Sequence, residues 1–217
     1  MTQQVGLREQ KKIDTRRRIQ DVALTLFADR GFDGVTVTEV AREAGVSPAT
    51  VFNYFPTKED LVLHGMAEYG ERLIATLRDR APGTSVLGAF RAHLLEPRGL
   101  LADDDPRATA GLVRVREIIA ASPALRAREL LIAEATATDL AELLAEDSPG
   151  AIRARALATA AVGITQAMTL EVHRLAATGL TGAAIATIVL PEGAAAVDVL
   201  IRGLAPIPAE PDGDGPT

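Results

Sequence analysis

From residue 14 onward, apolar side chains recur every three or four positions along most of the chain, the spacing of helices with one buried face. Ile19, Ala23, Leu26 and Phe27 share such a face. Asp14 or Thr15 can cap it and Gly31 can stop it, which predicts a first helix over 15–30. Thr36 and Glu39 have the spacing of a capping box, and Val37, Val40, Ala41 and Ala44 then face one way until Gly45 ends a short second helix. Ser47 is placed as the N-cap of a third. Pro48 sits at its first helical position, where a missing N–H costs nothing, and Val51 and Phe55 form its inward pair. Pro56 ends this helix, and Thr57 with Asp60 opens a longer one running through Leu61, Leu73 and Leu77.

The later elements are longer. Helices are expected near 85–95, 106–121, 123–146 and 149–178, the third opening at Ser122-Pro123 and the fourth at Ser148-Pro149, with Gly179 as the final stop. Residues 181–204 are helical by composition, but Pro191 and Gly193 are expected to break or kink them. Residues 1–13 are polar with little apolar periodicity and read as a mobile basic arm; residues 206–217, rich in Pro, Gly and Asp, read as a disordered tail. No repeat of solenoid length is present.

Composition supports an all-α fold. Aromatic residues make up 3% of the 217 positions and hydrophobic residues 47%, so Ala, Leu, Val and Ile must build the core. The absence of cysteine removes disulfides, thiolate metal sites and thiol nucleophiles. No uninterrupted apolar run approaches the roughly 18 residues of a membrane span, and the N-terminus opens polar and then basic, so a soluble cytoplasmic protein is expected. A net charge of −6 argues on average against nucleic acid. The distribution reverses that inference locally: the first twenty residues carry six basic side chains against two acidic ones, whereas residues 61–217 carry fourteen against twenty.

Catalytic signatures are weak. His64, His93 and His173 lie far apart without a paired-His helical motif, so no metal site is expected, and without a phosphate-binding loop or dinucleotide fingerprint no cofactor is expected either. An all-helical enzyme using His93, Glu117 or His173 as acid or base is the reading from a different class, and it leaves the basic N-terminus unexplained.

Two short capped helices joined by a Gly-containing turn, behind a basic stretch and a preceding helix, form the pattern of a helix-turn-helix DNA reader; an ordinary helical hairpin shares the local signals. With Val51 and Phe55 inward, Ala49, Thr50 and Asn53 face outward, as a helix entering a groove about 12 Å wide requires. The wider stretch decides between them. Residues 15–61, "TRRRIQDVALTLFADRGFDGVTVTEVAREAGVSPATVFNYFPTKEDL", closely resemble the DNA-binding domain of the TetR family of transcriptional regulators, in the "LFADRGFDGVTV" approach, the "VAREAGVS" hairpin and the "VFNYFPTKEDL" exit.

That resemblance implies an N-terminal three-helix helix-turn-helix domain over 14–60 and a larger helical effector-binding and dimerisation domain over 61–205. It implies a homodimer on a palindromic DNA operator, acting as a repressor released by a small molecule. A regulator without a small ligand is the alternative within the same class. By resemblance, Thr36 and its helix N-terminus clamp a phosphate, Ser47, Ala49, Thr50 and Asn53 reach bases and nearby phosphates, and Tyr54 and Lys58 hold phosphates; basic Arg17 joins this DNA-binding set. Phe52 stands where many members carry a tyrosine, which favours thymine-methyl contact over a polar one.

Residues 154–168, "ARALATAAVGITQAM", are small and apolar on nearly every face and suit either a subunit interface or a central helix; a mixture, with one face lining a pocket, fits best. For that pocket, Phe90, Leu94, Ile118 and Met168 are candidate lining, and His93, Glu117 and Gln166 candidate polar handles, although each also fits plain core or surface. Arg114, Arg116 and Glu117 read either as a cluster over the pocket or as a solvated face. An aliphatic cavity in an acidic domain implies a small, mainly apolar, uncharged or weakly charged effector.

Overall fold

The computed structural model describes residues 6–147 and 150–203, and every regular element among these is helical, with no strand. In chain order the helices are α1 (Leu7–Arg30), α2 (Val37–Glu43), α3 (Pro48–Tyr54), α4 (Asp60–Arg78), α5 (Val86–Leu95), α6 (Pro106–Ala121), α7 (Pro123–Asp147), α8 (Ala151–Ala176) and α9 (Gly182–Gly203), with a 3-10 turn at Gly99–Ala102 between α5 and α6. The expected opening of α8 at Ser148-Pro149, the tail over 206–217 and the first five residues lie outside the described residues.

The expected punctuation operates at most boundaries. Gly31, at φ 76°, closes α1 with its N–H on the Phe27 carbonyl at 2.9 Å, and Gly45, at φ 66°, turns the chain out of α2. Both capping boxes close: Glu39 N–H donates to the Thr36 hydroxyl at 3.2 Å while Thr36 N–H donates to the Glu39 carboxylate at 2.8 Å, and Thr57 and Asp60 repeat the arrangement at 2.9 and 3.2 Å.

Two expectations need correction. The segment 7–13, read as a mobile arm, is the beginning of α1, because Arg8, Glu9, Gln10, Lys11 and Lys12 are good helix formers that need no apolar face. Asp14 therefore does not cap the helix; it accepts a hydrogen bond from Gln10 one turn earlier, at 3.0 Å. Nor does α9 break at Pro191 and Gly193. Thr187 and Pro191 both lie on the exposed face, where water is at hand for the carbonyl that loses its amide partner. Gly193 is buried where α8 and α9 meet, and a Cβ there would lie 2.2 Å from Met168 Sδ. The glycine serves close packing.

Three apolar clusters hold the helices together. The first joins Ile19, Phe27, Val40, Val51, Phe55 and Leu61, from α1 through the start of α4, and extends to Ile118 on α6 and Leu125 on α7. The second gathers the later turns of α4 with α5, α7, α8 and α9 around Leu77, Phe90 and Leu140. The third lies between α8 and α9 at Leu175 and Ile185. Helix α4 contributes to the first two and so connects the N-terminal helices to the larger bundle. At mean hydropathy 1.8, α9 is long and apolar enough by composition to cross a membrane, but here it packs on α5, α8 and the 3-10 turn.

Candidate functional site

The N-terminal end presents α3 as its outward edge. Val51 and Phe55 are fully buried against α1 and α2, while Ala49 and Asn53 are exposed and Thr50 is half-buried. The Ser47 hydroxyl accepts from Thr50 N–H at 3.0 Å and lies 2.8 Å from the Thr50 hydroxyl, so these two side chains hold each other at the start of the helix. Phe52 projects outward at 48% exposure, with no packing to explain an aromatic ring there. Tyr54 is half-buried and packs on the first cluster, and Arg17 is exposed on α1.

Thr36 and Lys58 sit differently from the roles that the resemblance implies. The Thr36 N–H and hydroxyl both donate to Glu39 at 2.8 Å, and Arg30 binds the same carboxylate at 2.7 Å. These contacts, the Arg30 hydrogen bond first, hold Glu39 down at about 2, so the cap carries a negative charge beside the proposed phosphate clamp. The Lys58 ammonium turns inward: it donates to the Phe32 carbonyl at 2.6 Å and lies 4.2 Å from the Phe32 ring centroid. Its first partners are therefore intramolecular.

The second feature is a cavity of about 490 Å³ lined by α4, α5, α6, α7, α8, α9 and the 3-10 turn. Of the residues expected there, His93, Leu94, Gln166 and Met168 line it. Phe90 does not, being fully buried in the second cluster; Ile118 packs in the first, and Glu117 is exposed on α6. Helical periodicity marks a buried face but cannot say which cluster that face joins. Arg116 pairs with Glu129 on α7 at 2.9 Å while Arg114 and Glu117 are exposed, so that group is a solvated, cross-linked face rather than a pocket cluster. His93 and His173 thus share the cavity, and Glu117, the carboxylate of the enzyme reading, lies outside it.

Tyr69, Thr136, Thr165, Thr169, Arg98 and His173 were not among the expected lining residues. Four of them are hydroxyl side chains facing inward along otherwise apolar helices, a signal visible in the sequence but easily read as surface. Both ring nitrogens of His93 and Nδ1 of His173 are shut from water without a hydrogen-bond partner. Burial, and then the nearby Arg98, pushes His93 down to about 4; burial and Arg116 likewise lower His173. Burial pushes the Tyr69 hydroxyl up. Beside the charged Arg72, Glu96 and Arg98, the walls therefore carry neutral polar groups.

A helix-turn-helix whose reading helix projects at one end, joined through α4 to a helical bundle around a cavity, defines an all-α helix-turn-helix protein with a separate cavity. Residues 19–64 match the model of the bacterial regulatory proteins of the tetR family. The chain is thus similar to the tetR family over its N-terminal helices. It is 31% identical over 146 residues to the HTH-type transcriptional regulator TcmR of Streptomyces glaucescens, a match covering 64% of this chain; the chain spans 63% of that relative's length. Solved structures share the fold. A TetR-family transcriptional regulator from Rhodococcus sp. superimposes with a TM-score of 0.53 at 18% identity, covering 87% of this chain and 99% of that one. The fatty acid degradation regulator FadR from Bacillus halodurans does so with a TM-score of 0.51 at 19% identity, covering 82% and 97%.

Proposed function

We propose that this protein is a homodimeric cytoplasmic repressor that binds a palindromic DNA operator through α3 and releases it when a small, mainly apolar molecule fills the cavity. In this reading residues 14–60 form the DNA-binding domain and 61–205 the effector and dimerisation domain. One observation carries it: Met66, Tyr69 and Leu73 line the cavity on the same helix whose first turns, at Leu61 and Leu63, are buried with α1 to α3. A molecule that moves α4 therefore acts on the seating of the reading helix. Release follows if the ligand favours the form whose two heads no longer match the half-sites.

Direct base contact falls to Ala49, Thr50 and Asn53, with Phe52 against thymine methyl groups, and Arg17, Ser47 and Tyr54 serve the backbone. Thr36 and Lys58 join them only by exchanging internal partners for phosphate. Dimerisation is supported by large apolar side chains left open on α7, α8 and α9, among them Leu131, Ile152 at 88% exposure, and Val199.

Selection of bound DNA from a random pool tests the reading. The expected product is a palindrome with half-sites one helical turn or a multiple apart, bound by a protein that sediments as a dimer at micromolar concentration, and Asn53→Ala shifts the preferred bases. A stable monomer, or tight binding without a palindrome, overturns it.

A further inference from the structure

The polar groups of the cavity specify more than an apolar ligand, and their role as ligand contacts rests on the proposed release of DNA by a bound small molecule. His93 is 7% exposed, and its ring nitrogens are without a partner and closed off from the cavity; a turn of the neutral imidazole toward the cavity brings it one unused donor and one unused acceptor. The Nδ1 of His173 is unpaired and closed off in the same way. Thr136, Thr165 and Thr169 have each committed their hydroxyl proton to a carbonyl on their own helix, at 3.0, 3.4 and 2.9 Å, so they face the cavity as acceptors. The Tyr69 ring stands 5.8 Å from that of His93 and brings a further hydroxyl to the same region.

The charges on the wall, by contrast, are already engaged. Arg98 donates to the His93 carbonyl at 2.8 Å and is paired with Glu96, and Arg72 faces Glu68 at 3.5 Å. A carboxylate, phosphate or ammonium on the ligand would have to compete with the partner already beside each of these charges. A hydroxyl needs no such exchange. It donates to a threonine oxygen or an imidazole nitrogen and accepts from an imidazole N–H, whereas a carbonyl would leave the surplus acceptors unmet.

We propose that the cavity takes an uncharged, mainly aliphatic molecule carrying at least two hydroxyl groups, one meeting His93 and another meeting His173. A volume of about 490 Å³ suits a ligand of drug-like size. The test uses 1,12-dodecanediol, 1-dodecanol and dodecanoate as matched probes, titrated by calorimetry into the full chain. The expected order is diol over mono-alcohol over carboxylate. The diol preference over the mono-alcohol should fall by about fivefold to tenfold in His93→Leu and in His173→Leu, the loss of one hydrogen bond each. His93→Leu removes an unpaired buried polar group and should fold; His93→Gln, which keeps a donor and an acceptor, should retain part of the preference. Dodecanoate binding as tightly as the diol, or a preference untouched by either histidine variant, overturns the hydroxyl assignment and leaves the ligand-release reading standing. If no probe binds, dodecanol included, the ligand cavity itself is refuted, and this inference with it.

Discussion

His93 couples the cavity to acidity. In the folded chain it sits at about 4, against 6.5 for a free imidazole, chiefly because burial penalises the charged ring. The unfolded chain therefore takes up its proton first as pH falls. This contribution is neutral above about 6.5, and stability is lost progressively from there down to about 4, by at most about 3 kcal/mol. Urea melts at pH 7 and pH 5 should show a smaller loss for His93→Leu than for the wild type; an equal loss would assign the titration to other groups. Lys58 poses a different question. Its carbonyl and ring contacts predict that Lys58→Ala costs about 1–2 kcal/mol of stability in a denaturant melt. Arg17→Ala should instead leave stability alone and lower the salt slope of DNA binding by about one unit per subunit. A full unit lost with Lys58→Ala at unchanged stability would return its ammonium to the phosphate.

Glycines decide how closely the elements approach. At Gly182, the first residue of α9, a Cβ would stand 1.8 Å from the Leu100 carbonyl oxygen and 2.5 Å from that of Asp103, so the 3-10 turn rests directly on the helix backbone. Gly182→Ala must displace backbone and should cost about 2–3 kcal/mol. Gly111 on α6 is exposed with nothing within 4 Å of a Cβ, and Gly111→Ala should stabilise by up to about 1 kcal/mol through helix propensity. Thermal melts of the pair would separate close approach from propensity, and stabilisation by both would refute the packing role. The bidentate Arg91–Asp198 pair, at 2.6 and 3.0 Å, fastens α5 to α9 past the continuous Pro191 turn.

Across the molecule, α1 and α4 are joined at Glu68, which takes Arg16 at 3.0 Å, His64 at 2.8 Å and Arg72 at 3.5 Å. This carboxylate stands between Met66 and Tyr69 of the cavity wall and the helix that carries Arg17. Half-exposed pairs add little to stability, so Glu68→Gln should leave the melting midpoint nearly unchanged. Its effect belongs to coupling: operator affinity of the ligand-free protein should change by about threefold to tenfold. Arg174→Ala, which removes a pair confined to α8, should leave that affinity alone. Equal behaviour of the two variants would dismiss Glu68 as a link.

The local code determined a great deal unaided. Caps at Thr36, Ser47 and Thr57, stops at Gly31 and Gly45, and the inward pair Val51 and Phe55 are set by hydrogen bonds within four residues, and so are the two short helices of the helix-turn-helix. What could not be read depended on partners distant in the chain. Phe90, Glu117 and Ile118 have the same periodicity as true cavity residues, and only the arrangement of seven elements around an empty volume separates wall from core. Pro191 breaks a helix by local rules, yet α9 runs through it, with Pro191 on the exposed face and neighbouring helices packed along α9. Lys58 turned inward because Phe27 and Phe32, remote in sequence, place two rings and a carbonyl around its ammonium. Backbone hydrogen bonding and capping are short-range and so legible in the sequence; burial, cavities and desolvated charge are properties of packing, and the tertiary structure alone assigned them.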